Sequence, residues 1–284
     1  MKEQDRVKIK IIKSKITEML VERQQVQNGH HNAFNPSSYW TNFCSYFDYM
    51  LGLPEESFAK LRLHTYHLNG DNYQTYIFKD PHSYRAQADK LTKNIPTKLI
   101  LNEPEGGIGY LYNDGRFLSR DILRFQRVIN TLHQHDILDS LSDVTKQKRK
   151  YVLEIGAGYG GLVHHLSNIL ENTTFIIVDL PEVLLFSAAY LSLLNPHKRM
   201  YLYSNQDFLQ LIGTDVCETY DFVLIPNYQL DSLRHLQFDL VLNISSLQEM
   251  TVEQVETYLN FIQATTTGVF YSLNQDSNLL TMSY

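Results

Sequence analysis

The chain has 284 residues and carries 25 Lys and Arg against 31 Asp and Glu, a formal net charge of −6. That length suits one large α/β domain or a medium one with an appendage; the acidic balance, without a long basic run, excludes nucleic acid and an anionic membrane surface as main partners. No apolar run approaches the roughly eighteen residues of a membrane span. Cys44 and Cys217 lack metal-ligand spacing and the charged start shows no apolar signal core, so a reduced, cytoplasmic setting is expected.

Ile9, Ile12, Ile16, Met19 and Leu20 recur at helical spacing between charges, which predicts an opening amphipathic helix. "NGHHNAFNPSS" breaks that pattern, "YWTNFCSYFDYML" is compact and aromatic, and "PEESFAKLRLH" reads as a helix with Pro54 in its first turn. Asn113-Asp114-Gly115 between "IGYLY" and "RFLS" signals a hairpin. "RDILRFQRVINTLHQHDIL" is helical with Ile122, Phe125, Val128, Ile129 and Leu132 on one face, and polar "SDVTKQKRK" follows as a linker. From Tyr151 the rhythm is strand, turn, helix: "YVLEI" then "GLVHHLSNIL", "TFIIVD" then "LPEVLLFSAAYLSLL", strands "FVLIPN" and "FDLVLNI", a helix opened by a Thr251/Gln254 capping box, and "GVFYSLN". Alternating buried strands and helices predict an α/β fold with a parallel, doubly wound sheet. The division expected is residues 1–145, a mainly helical acceptor-binding and lid region, and residues 146–284, a Rossmann-like cofactor domain.

The turn "EIGAGYGG" satisfies two fingerprints. Gly156, Gly158 and Gly161 fit the G-x-G-x-x-G of a dinucleotide site; Gly156, Gly158 and Gly160 behind Glu154 fit the E-x-G-x-G-x-G of a methyl-donor site. Asp179, ending the next strand, suits ribose hydroxyls in either case. Glu154 discriminates: a carboxylate there repels the pyrophosphate of NAD and attracts the ammonium and sulfonium of S-adenosylmethionine. The adjacent pair His164-His165 points to different helix faces, and His30-His31 and His64-x-x-His67 lack a matching acidic set, so no metal site is expected.

The segments "VLEIGAGYGGL", "IIVDLPEVLLFSAAYLS" and "FDLVLNISSLQEM", with "NEPEGGIGYLYNDGRFLSRDILRF" upstream, resemble the sugar O-methyltransferase family of class I S-adenosylmethionine-dependent enzymes. The resemblance covers roughly Leu99 to Asn274; it departs from the family where "GGIGY" stands in place of Asn-Pro. It implies methyl transfer to a sugar or glycoside hydroxyl. Glu154, Gly156, Ala157, Gly158, Asp179, Leu180, Asn227, Tyr228, Asn243 and Ser245 would hold the donor, with Gln229 beside its adenine. Glu249 would be the base, or else a cap on the helix that follows. Glu103, Glu105 and Asn274 would touch the acceptor. The alternatives are an inactive protein of the same fold that binds a partner, and an NAD-dependent oxidoreductase. Because only "SNLLTMSY" follows the fifth strand, the sheet is expected to be short on that side, with an exposed edge that a homodimer would cover.

Overall fold

The structure, a computed structural model, describes residues 1–27, 34–69, 76, 81–112, 114–142, 148–211 and 216–275. Its helices begin with α1 (Glu3–Gln27) and α2 (Ser38–Gly52), followed by a 3₁₀ segment, Glu55–His64, kinked at Lys60. Next come α3 (His82–Thr92), the hairpin strands β1 (Tyr110–Leu111) and β2 (Phe117–Leu118), and α4 (Arg120–Gln134). The hairpin forms as the turn residues predict, although Asn113 and the pair His30-His31 lie outside the described residues. Ser119 caps α4 by accepting the Ile122 amide, and the five predicted apolar positions of that helix are all buried.

The main sheet follows in alternation: β3 (Lys150–Ile155), α5 (Gly161–Ile169), β4 (Thr173–Asp179), α6 (Pro181–Leu194), β5 (Met200–Leu202), β6 (Phe222–Pro226), β7 (Phe238–Ile244), α7 (Val252–Thr265) and β8 (Thr266–Leu273). The six strands are parallel in the order β5-β6-β4-β3-β7-β8. Thr251 and Gln254 form the capping box of α7 with both bonds made. β8 is an edge of the sheet among the described residues. Neither α3 nor β5 is signalled by the pattern. α3 buries Ala88 alone, and β5 is three residues long.

α6 explains where the N-terminal helices go. Its sequence is apolar on every face, and a helix apolar all round must be covered on every side. The sheet takes one face; α1 and α2 take the other, with Phe47 of α2 edge-on to Phe186 at 4.9 Å. Ile9, Ile12, Ile16 and Met19 are the buried stripe of α1. Polar ties fix the register of this layer. Arg23 grips Glu182 through two hydrogen bonds of 2.8 and 2.5 Å, the Tyr203 hydroxyl donates to Glu22, and Lys15 donates to the Leu202 carbonyl. The helical layer therefore reaches the carboxyl ends of the strands.

Candidate functional site

Parallel α/β sheets bind ligands beyond the carboxyl ends of their strands, where the strand order reverses. Here the chain moves from β3 to β4 on one side and later to β7 on the other, so that point lies between β3 and β7. The glycine turn sits there. Gly156 has φ +75°, and a Cβ on it would stand 2.3 Å from Ser246 Oγ. Ser246 cannot yield, because its hydroxyl bonds the Ile155 carbonyl and receives the Asn243 amide at 2.6 Å. Gly158 has φ +59° with open space where a Cβ would be, and its N–H donates to Asp179 Oδ2 at 3.1 Å. Ser245, the residue after β7, is held at φ +63°, a conformation that costs a residue with a side chain about 1–3 kcal/mol.

A cavity of about 310 Å³ opens over this turn, and three carboxyls face it: Glu154 from β3, Asp179 from β4 and Glu249 from the turn after β7. Glu154 is 3% exposed, and its Oε2 has no hydrogen-bond partner among the described residues. Burial, helped by the charge of Asp179, raises it to about 8 against the pull of Arg124. Burial also lifts Asp179 to about 7, although the Leu180 and Gly158 amides donate to it. Glu249 rises to about 7 through burial, opposed by Trp40 Nε1, which donates to its Oε2 at 3.1 Å, and by Arg124. A cationic ligand would favour all three as anions.

The opposite wall comes from the helical layer: Asn35 to Ser37, Tyr39, Trp40, His67, Arg120, Arg124 and Phe125. Of the residues marked in the sequence, Glu154, Gly156, Ala157, Gly158, Asp179, Leu180, Asn227, Ser245 and Glu249 line the cavity together. Others are placed elsewhere. Tyr228 directs its hydroxyl to the Met19 carbonyl and Glu22, and Gln229 donates to Tyr203 and Glu22. Asn243 is fully buried and ties the turn together through Ile155 and Ser246; Asn274 donates to Asn243 and Ser272. Glu105 is exposed and away from the cavity.

Glu103 has the clearest reason for not reaching an acceptor. It is held by Arg62, 2% exposed, whose Nη2 donates to Glu103 at 3.0 Å and to Asp121 at 2.9 Å. The same guanidinium lies 4.1 Å over the ring of Tyr159 in the glycine turn. This cluster joins the 3₁₀ segment, the hairpin region, α4 and the glycine turn, and no local sequence signal announces it.

No family model matches the chain, and no curated protein does. Among solved structures, one described as an O-methyltransferase from Nostoc punctiforme PCC 73102 is similar at 14% identity, with 68% of this chain and 50% of that one covered and a TM-score of 0.32. Coclaurine N-methyltransferase bound to N-methylheliamine and SAH is similar at 16% identity, with 94% of this chain and 61% of that one covered and a TM-score of 0.31. The chain thus spans between half and about three-fifths of the length of these structures.

The histidines of α5 belong to the core. Burial pushes His164 to about 4 and His165 to about 3, and His164 Nδ1 sits 3.2 Å from Asn195 Oδ1. Among the described residues, no group of three or more His, Cys, Asp or Glu could hold a metal ion, and no helix is long and apolar enough to cross a membrane.

Proposed function

We propose that the chain binds S-adenosylmethionine and transfers its methyl group to a hydroxyl of a sugar or glycoside. The observation that carries this reading is Glu154, a buried carboxyl with an unpartnered oxygen at the end of β3, beside a second carboxyl at the end of β4. A pyrophosphate placed over that pair would meet two acids, whereas an ammonium and a sulfonium would neutralise them. The residues fit the donor. Gly156 and Gly158 admit close backbone approach, Asp179 keeps lone pairs for the ribose hydroxyls, and Asn227 stands at the end of β6 where an adenine edge would lie. When bound, S-adenosylmethionine supplies an electrophilic methyl group on sulfur.

The protein's own share is positioning and proton transfer. A sugar hydroxyl attacks poorly while protonated, so a base near its working pH helps. Glu249, at about 7 and held by Trp40, is that base. It does not cap α7: Thr251 and Gln254 do so themselves. Asn35, Gln248 and Gln275 line the cavity with side-chain amides, which donate and accept and so suit hydroxyl-rich acceptors. Calorimetry with S-adenosylmethionine, SAH and NADH tests the reading. Binding of the first two and not the third is expected; heat from NADH alone would overturn it.

A further inference from the structure

Helix α2 carries aromatic side chains in a row that begins inside the cavity. Tyr39, Trp40 and His67 line the cavity itself. From there the ring centres of Tyr39 and Phe43 are 4.7 Å apart, those of Phe43 and His67 5.6 Å, and Tyr46 lies stacked on His67 at 5.0 Å and 18°. Positions 39, 43 and 46 are four and three apart and share one helix face. At 1.5 Å rise per residue they span roughly 10 Å. The row ends in solvent: Tyr46 is 54% exposed, and Tyr66, T-shaped to His67 at 5.3 Å, is 48% exposed.

We propose that this row is an outer acceptor subsite for a neutral carbohydrate chain whose reacting end enters the cavity. The proposal rests on the methyl-transfer reading above and extends it. The composition of the face selects the ligand. Ser38–Gly52 contains one charged residue, Asp48, and no cation, so along α2 itself a phosphorylated or acidic polymer finds no counter-charge, the arginines Arg120 and Arg124 lying at the inner, cavity end. Every exposed large hydrophobic residue of α2 is a tyrosine, whereas a lipid or an apolar helix would meet aliphatic side chains. Sugar rings offer C–H faces that stack on aromatic planes and hydroxyls that bond at the edges; tyrosine offers both counterparts. Exposed Asn42, three residues from Tyr39 and four from Tyr46, shares that face and adds a small polar group. The Tyr46–His67 stack holds its plate flat before any ligand arrives, which lowers the ordering cost of binding.

Trp40, at the inner end of the row, is the protein's one tryptophan, so its fluorescence reports on the subsite directly. The test is an array of neutral and acidic oligosaccharides probed with the full chain in the presence of SAH, followed by titration of Trp40 fluorescence with the oligosaccharides retained. Neutral oligosaccharides are expected to be retained, and Tyr46→Ala to weaken them roughly tenfold while leaving SAH affinity unchanged. Failure to retain any neutral oligosaccharide overturns the subsite, and so does affinity unchanged in Tyr46→Ala. A face that retains no glycan but whose Tyr46→Ala variant converts a dimer to a monomer in sedimentation belongs to a second copy, which also overturns it. Calorimetry with SAH on the same sample keeps the two readings apart. SAH binding without glycan retention removes the subsite alone; glycan retention without SAH binding removes the methyl-donor reading alone.

Discussion

Glu154 holds a proton near neutral pH that a carboxyl in water would have lost, because burial beside Asp179 disfavours its anion. A cationic ligand needs the anion, so binding below about pH 8 must expel that proton. The affinity for S-adenosylmethionine should therefore tighten as pH rises from 6 to 8, by up to about tenfold per unit for each proton displaced. Calorimetry in buffers of different ionisation heat will read both the trend and the release; Glu154→Gln should flatten the dependence. The effect on stability runs the same residue in reverse. Its folded-state value lies above the ordinary 4.5, so the ligand-free protein loses stability as pH climbs from there toward 8, and Glu154→Gln should melt higher at pH 8. If Asp179 holds the donor ribose as proposed, Asp179→Ala should lower S-adenosylmethionine affinity about 30-fold or more, and calorimetry showing unchanged affinity would overturn that role. Glu249→Gln keeps the shape and an acceptor oxygen for Trp40 but removes the proposed base. Turnover should fall about 100-fold with donor binding intact. Normal turnover in that variant, with only a lower melting temperature in Glu249→Ala, would return the residue to a structural role.

The turn between β3 and α5 is the least tolerant element. Gly156→Ala forces a side chain into the left-handed region and against Ser246, which Asn243 and the Ile155 carbonyl hold in place. Urea unfolding should show a loss of about 1–3 kcal/mol, and SAH should no longer bind; an unchanged midpoint and affinity would contradict the packing described. This element was legible because its requirements are local. Glycines at fixed spacing, an acid two residues before them and a second acid ending the next strand all lie within one strand-turn-helix-strand unit. The central strands were legible for a related reason: "FIIVD", "FVLIP" and "FDLVLNI" are covered on both faces and read as continuous apolar runs. The far wall was not legible. Trp40 reaches the cavity from α2, which docks on α6 well over a hundred residues away, and Arg124 reaches it from α4, which packs on α5. Glu103 shows the same limit in one residue, since nothing in "NEPEGG" distinguishes an acceptor contact from a partner for Arg62.

At the scale of the whole molecule, Arg62 is where four parts of the chain meet. Arg62→Ala leaves Glu103 and Asp121 buried without this cation, an arrangement that typically costs about 3–5 kcal/mol. Chemical denaturation should reveal a loss of that size; one under about 1 kcal/mol would mean the cluster is relieved by water. Arg124, which also pairs with Asp121, limits the damage on that side. The docking of α1 has a consequence in time as well as in energy. A ribosome makes α1 well before its anchors, which include Glu182, Leu202, Tyr203 and Tyr228. About 200 residues separate Gln27 from the last of them, roughly 10–40 s of synthesis at about 5–20 residues per second. Until α6 has been made, Ile9, Ile12, Ile16 and Met19 travel on a nascent chain without the helix that covers them. An early segment must wait for much later ones before it can settle, and the cavity can close only after the floor beneath it has been translated.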